Sequence, residues 1–173
     1  MSIAFLPAPD LPKKKLPKLR KAALSEFIQS LCFMEEQEAG NITVIFCDDR
    51  YLLSLNSKYL GHKTLTDIIT FDYTANKSIK SKQDRQSTTV KKTNGIRAGH
   101  RISTTNPELS GDIFISTERV SENASKFKVS FEHELHRVIF HGVLHLCGYK
   151  DKTPKAKKEM TAKEDYYLSL YFK

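Results

Sequence analysis

The sequence predicts one domain built from both helices and strands, with a helix in its C-terminal third that carries the chemistry. Three observations lead there. Apolar residues recur at three- and four-residue steps over several long stretches. Three short runs, NITVIFCDD, DIITFDY and GDIFIST, are instead dense in Ile, Val, Thr and Phe, as strands are. The chain has 173 residues, the length of a single domain, and 39% of them are hydrophobic, enough for a core.

The elements follow in order. Residues 13–39 read as a helix after Pro12, with Leu24, Phe27, Ile28 and Leu31 on one face and Gly40 as its stop. Residues 41–49 alternate and read as a strand. Asp48 or Asp49 can cap a short helix through Leu52 and Leu55 to Tyr59, ended by Gly61. Residues 67–73 and 111–117 read as two further strands whose apolar runs predict burial on both faces. Residues 117–127 and 131–147 read as helices, and Thr153 followed by Pro154 is a cap and first-position pair for a last helix to about Tyr171.

Residues 75–107 break this pattern. They are rich in Lys, Ser, Thr and Asn, have almost no large apolar residues, and read as an insertion between two strands. The formal net charge of +8 is concentrated there: eight Lys or Arg and one acid between Lys77 and Arg101 leave the rest of the chain at only +1. A solvated loop and an RNA-touching arm both fit this composition, and the global charge points to nucleic acid only if the segment takes part. Cys32, Cys47 and Cys147 are scattered and form no CxxC pair, so reduced, mostly buried thiols are expected. No run approaches the ~18 apolar residues that cross a bilayer. MSIAFLPAPD lacks the basic start of a signal peptide, and a cytoplasmic location is expected.

The chemistry lies in HGVLHLCGYKD, residues 141–151. On a helix, at about 100° per residue, His141 and His145 fall on one edge while Ile139, Phe140, Val143, Leu146 and Cys147 fall on the other side. Two imidazoles one turn apart suit a single cation. Gly148 can take the left-handed conformation that ends the helix, which lets Asp151 swing back with a carboxylate oxygen. Three protein ligands leave a position open for water, as in a catalytic zinc site. The plainer alternative is a pair of histidines that are exposed or hydrogen-bonded in the core. Cys147 reads as core, His133 and His136 as structural or surface residues off the metal edge, and His62 and His100 as loop residues. Gly142 stands where an HExxH peptidase has its general base, which argues against that enzyme class.

HGVLHLCGYKD resembles the signature HGxLHLxGYDH of the YbeY family of bacterial metal-dependent endoribonucleases, with His141, Gly142, Leu144, His145, Leu146, Gly148 and Tyr149 matching. LNSKYLGHKTLTDIITF (residues 55–71) resembles the family's LN..YRGKD.PTDVLSF, and SGDIFIS (residues 110–116) its LGDI.IS. The resemblance implies an α+β fold of the metalloprotease-like zincin type: a small mixed sheet with helices packed on it and a central helix carrying the metal. It also implies one Zn2+ held by His141, His145 and Asp151, cleavage of single-stranded RNA, 3′-end maturation of 16S rRNA on the small ribosomal subunit, and ribosome quality control.

Three departures stand out. Asp151 replaces the family's third histidine and, being anionic, is expected to make the metal a slightly weaker Lewis acid. Leu60 stands where the family has an arginine, so phosphate binding would pass to Lys58, His62, Lys63 or Arg119, unless these are ordinary surface charges. The basic insertion replaces a short link. Thr66 and Asp67 match the family's TD, and a structural role is expected for Asp67. Other readings are a metal-dependent hydrolase of another class, an Fe(II) oxygenase with two histidines and one carboxylate, or a non-catalytic ribosome assembly factor.

Overall fold

The computed structural model describes residues 2–9, 11–12, 16–74 and 108–173. The insertion at 75–107, His100 within it, and residues 13–15 of the expected first helix lie outside the described residues. The elements are β1 (Ser2–Pro7), α1 (Lys21–Met34), β2 (Ala39–Cys47), α2 (Asp49–Leu55) running into a π-helical turn (Asn56–Leu60), β3 (Ile68–Asp72), β4 (Leu109–Ser116), α3 (Thr117–Phe127), α4 (Phe131–Leu146) and α5 (Pro154–Tyr171). The strands form one mixed sheet in the order β1-β2-β4-β3. β2 runs parallel to β1 and β4, while β3 is antiparallel to β4. The architecture is α+β, as expected.

Strand pleating sends alternate residues to opposite faces. Ile42, Val44 and Phe46 of β2 and Ile113 and Ile115 of β4 therefore meet Leu24 and Ile28 of α1 and Leu135, Ile139 and Val143 of α4 in one core. Full burial of each such side chain contributes roughly 1.5–3 kcal/mol. Two glycines let α4 lie directly on the sheet. A Cβ at Gly142 would stand 2.6 Å from Ile113 Cγ2, and one at Gly111 would stand 2.7 Å from Leu146 Cδ2. Gly142 thus faces the strands, and a longer side chain there would lift the helix.

Among the described residues the other face is covered thinly, by α2, by Ala8 and by Tyr59 of the π-helical turn, whose ring meets Phe71. Cys47, Leu52 and Ile69 are buried, but Tyr51, Phe71 and Phe114 are only half-buried and pack on one another. The burial on both faces that the apolar runs predict is therefore met only on the α4 face of β4; in β3 Ile69 alone is buried and Ile68, Thr70 and Phe71 are half-buried.

Other boundaries differ for local reasons. α1 begins only at Lys21, after Arg20 at the N-cap, and Pro17 disfavours helical backbone at Leu16 upstream of it. It ends at Met34, with Glu36 in the left-handed region (φ 57°). Gly40 is no helix stop; it lies inside β2, where a Cβ would stand 2.7 Å from the Leu109 carbonyl oxygen. β1, a short edge strand, has no counterpart among the elements expected from sequence. The caps match: the Asp48 carboxylate accepts from Tyr51 N–H at 2.8 Å, and the Thr153 hydroxyl accepts from Ala156 N–H at 3.2 Å. Cys32 and Cys47 are buried free thiols and Cys147 is half-buried against the core.

Candidate metal centre

α4 is fixed at both ends. The Ser130 hydroxyl accepts from His133 N–H at 3.1 Å, and Glu132 and Glu134 stand in the first turn, where the helix dipole favours anions. At the other end Gly148 takes φ +100°, its N–H reaches the His145 carbonyl at 3.0 Å, and Tyr149 N–H reaches the Leu144 carbonyl at 3.0 Å. This doubly bonded glycine turn reverses the chain and returns Asp151 to the helix.

Asp151 Oδ2 lies 3.9 Å from His141 Nε2 and 3.8 Å from His145 Nε2. One ligand atom from each of the three residues falls within 4.8 Å of the others, so the group can hold a metal ion. The ring orientations support this. His141 Nδ1 stands 2.7 Å from Glu164 Oε1, and His145 Nδ1 stands 3.0 Å from the Tyr149 carbonyl oxygen. Both partners are acceptors, so each Nδ1 carries a hydrogen and Nε2 is the ring nitrogen left facing Asp151, where a metal would take its lone pair. Burial, followed by the neighbouring His141, pushes the His145 pKa below its ordinary value, which keeps that ring neutral. Two imidazole nitrogens and one carboxylate oxygen are a fitting donor set for zinc.

Behind His141 runs a chain of charges. Arg137 Nη1 donates to Glu164 Oε2 at 3.2 Å and to Asp165 at 3.1 Å, and Arg137 Nε lies 3.6 Å from Glu134 Oε2. Glu134 is buried, and that burial raises its pKa. A cleft of about 600 Å3 opens beside His141 and Asp151, walled by Glu134, Arg137 and Val138 of α4, Lys157, Thr161 and Glu164 of α5, and Asp67 and Asn123. Asp67 accepts from Asn123 Nδ2 at 3.1 Å, a tie between the residue just before β3 and α3. Of the two cations in the cleft, Arg137 is shared among three acids, whereas Lys157 is exposed and has no acid partner among the described residues.

The structure brings His141, His145 and Asp151 together and leaves the phosphate candidates apart from them. Arg119 is held by Asp49 (Nε to Oδ2, 2.9 Å) and by Glu122, so its guanidinium ties α3 to α2. Lys63 and His62 are exposed on the loop before β3, and Lys58 lies over the Tyr59 ring at 4.9 Å. None of the four lines the cleft. His133 stacks on Phe172 and His136 on Tyr171, away from the ligands. Sequence reasoning does not find Glu164, Glu134 or Lys157. The signal present for the two acids is a carboxylate inside an apolar stripe: Glu164 between Met160, Tyr167 and Leu168, and Glu134 one helical face below Val138 and His141.

Fold and site together define an α+β protein with a three-ligand candidate metal centre at the end of a central helix. The model of the family Endoribonuclease YbeY matches residues 8–171. Among curated relatives, Endoribonuclease YbeY of Flavobacterium johnsoniae is 41% identical over 149 residues, covering 86% of each chain. That of Flavobacterium psychrophilum is 43% identical over 145 residues, covering 84% of this chain and 82% of the relative. That of Parabacteroides distasonis is 36% identical over 170 residues, covering 98% and 96%. The solution structure of TM1509 from Thermotoga maritima shares the fold, with a TM-score of 0.55 at 24% identity over 99% of this chain and 89% of that one. The chain belongs to the YbeY endoribonuclease family.

Proposed function

We propose that this protein is a Zn2+-dependent endoribonuclease that cuts single-stranded RNA. The observation that carries this is the His141, His145 and Asp151 cluster, with both Nδ1 atoms already committed, in a chain of an endoribonuclease family. A bound Zn2+ would supply Lewis acidity for phosphoryl oxygens and for water. His141 and His145 would hold it by Nε2 and Asp151 by a carboxylate oxygen. Glu164 fixes the His141 ring, and Arg137 fixes Glu164.

An RNA phosphodiester also needs a cation from the protein. Lys157 is the one the cleft offers, rather than Lys63 or Arg119, and takes the part of the family arginine replaced by Leu60. Val138, Ile68 and Met160 give the same cleft apolar wall for ribose and base. As for the RNA itself, family membership supports the 3′ end of 16S rRNA in the small ribosomal subunit, and quality control of that particle, as the cellular role. That substrate puts the enzyme's work in the cytoplasm. No helix among the described residues is long and apolar enough to cross a membrane.

The test is cleavage of a single-stranded RNA by purified wild-type and His141→Ala protein, with metal analysis of both. Zn2+ in the wild type, and cleavage reduced at least ~100-fold in a folded variant, are the expected results. Equal cleavage by both proteins rejects the reading, and iron in place of zinc redirects it to the oxygenase ligand set. Mapping of 16S rRNA 3′ ends in cells lacking the protein tests the cellular role, with unprocessed ends as the expected result.

A further inference from the structure

Glu35 follows α1 directly, and only 7% of its side chain is exposed. Three donors converge on its carboxylate. The Tyr149 hydroxyl donates to Oε2 at 2.7 Å, the Lys163 ammonium to Oε1 at 2.7 Å, and the Tyr167 hydroxyl to Oε1 as well. Lys163 and Tyr167 belong to α5; they balance the charge and fill its lone pairs. Tyr149 differs, because it lies in the turn between His145 and Asp151. Its own carbonyl accepts the His145 Nδ1–H at 3.0 Å, its amide donates to Leu144 at 3.0 Å, and the Lys163 ammonium lies 5.3 Å from its ring centroid. One residue is thus held by its hydroxyl, its ring and both polar atoms of its main chain, two positions before the third ligand.

From this juxtaposition we infer that Glu35 is a positioning residue for the metal centre: it grips the Tyr149 hydroxyl and so fixes the carbonyl that aims His145 and the turn that presents Asp151. The inference rests on the metal-centre reading above. Loss of a partner bonded directly to a ligating histidine costs about 10–100-fold in metal affinity. Glu35 acts one residue further out, so the lower end, about tenfold, is expected. A tie that merely held α1 against α5 would affect stability and leave the ligands alone.

Zn2+ affinity of the full chain, measured by chelator competition without RNA and with thermal melting alongside, separates the two. Tyr149→Phe and Glu35→Leu should each weaken Zn2+ binding about tenfold, and the double variant should be no weaker than the singles, because both break one link. Tyr167→Phe removes a hydroxyl from the same carboxylate but from α5. It should lower the melting temperature to a similar degree and keep Zn2+ affinity within about twofold. Wild-type affinity in Tyr149→Phe, or equal losses in Tyr149→Phe and Tyr167→Phe, would overturn the inference while leaving the metal centre intact. A wild-type chain that takes up no Zn2+ overturns both, and no result depends on RNA cleavage.

Discussion

Arg119 and Arg137 have similar surroundings, each a partly buried guanidinium held by carboxylates of neighbouring helices. Arg119 joins Asp49 to Glu122, and Asp49 also accepts from the Ser116 hydroxyl and donates its N–H to Glu118; among the described residues none of these bonds reaches His141, His145 or Asp151. Arg137 joins Glu134, Glu164 and Asp165, and Glu164 passes the connection on through its second oxygen to His141. Both clusters are a guanidinium among acids, two around Arg119 and three around Arg137; the destination of one carboxylate oxygen separates a structural tie from a part of the candidate site. Lys157 is the contrast to both, a cation in the same cleft that no acid holds among the described residues.

Glu164→Gln should break this difference most sharply. It removes the carboxylate acceptor of His141 Nδ1–H and should weaken Zn2+ binding by about 10–100-fold, read by chelator competition. Arg137→Met comes next. It leaves Glu134 and Glu164 without their cation; a stability loss of roughly 2–3 kcal/mol is expected, below the ~3–5 of a fully buried pair because the guanidinium is 26% exposed. Zn2+ affinity should fall with it by up to about tenfold. Arg119→Met should lower the melting temperature slightly and leave Zn2+ affinity unchanged; a change in that affinity would erase the distinction between the two arginines.

Lys157→Ala should then raise KM for single-stranded RNA several-fold and flatten the salt dependence of binding by about one unit of slope, with Zn2+ affinity untouched. The smallest effect is one of pH. Burial alone would raise the Glu35 pKa, but the hydrogen bonds from Lys163, Tyr167 and Tyr149 outweigh it and leave it below its ordinary 4.5. The native state therefore binds fewer protons than the unfolded chain. The stability that Glu35 contributes is complete above pH 4.5 and is lost as the pH falls below it. Glu35→Gln should flatten that acid limb in melts run against pH.

What the sequence disclosed of this site is what lies on one helix and its turn. The spacing of His141 and His145, Gly148 with its φ of +100°, and the return to Asp151 are all local, set by helical period and one left-handed residue. The caps at Asp48 and Thr153 were legible for the same reason. Glu164 was not, because its partner His141 is 23 residues away and only the packing of α5 on α4 brings them together. The charge of Arg119 was visible in sequence, but the two acids that hold it, Asp49 and Glu122, were not. The sequence draws α1 too long because Gly40 reads as a stop, whereas its small size serves the close approach of β4.

Both imidazoles are aimed by the polypeptide itself, through Glu164 and the Tyr149 carbonyl. Occupancy of the site is thereby uncoupled from folding, unlike in small zinc domains whose shape collapses on chelation. A chelator should strip the ion and leave the circular dichroism spectrum standing. On the proposed reading, reloading should need no backbone rearrangement, because the empty protein already holds the shape that takes the ion.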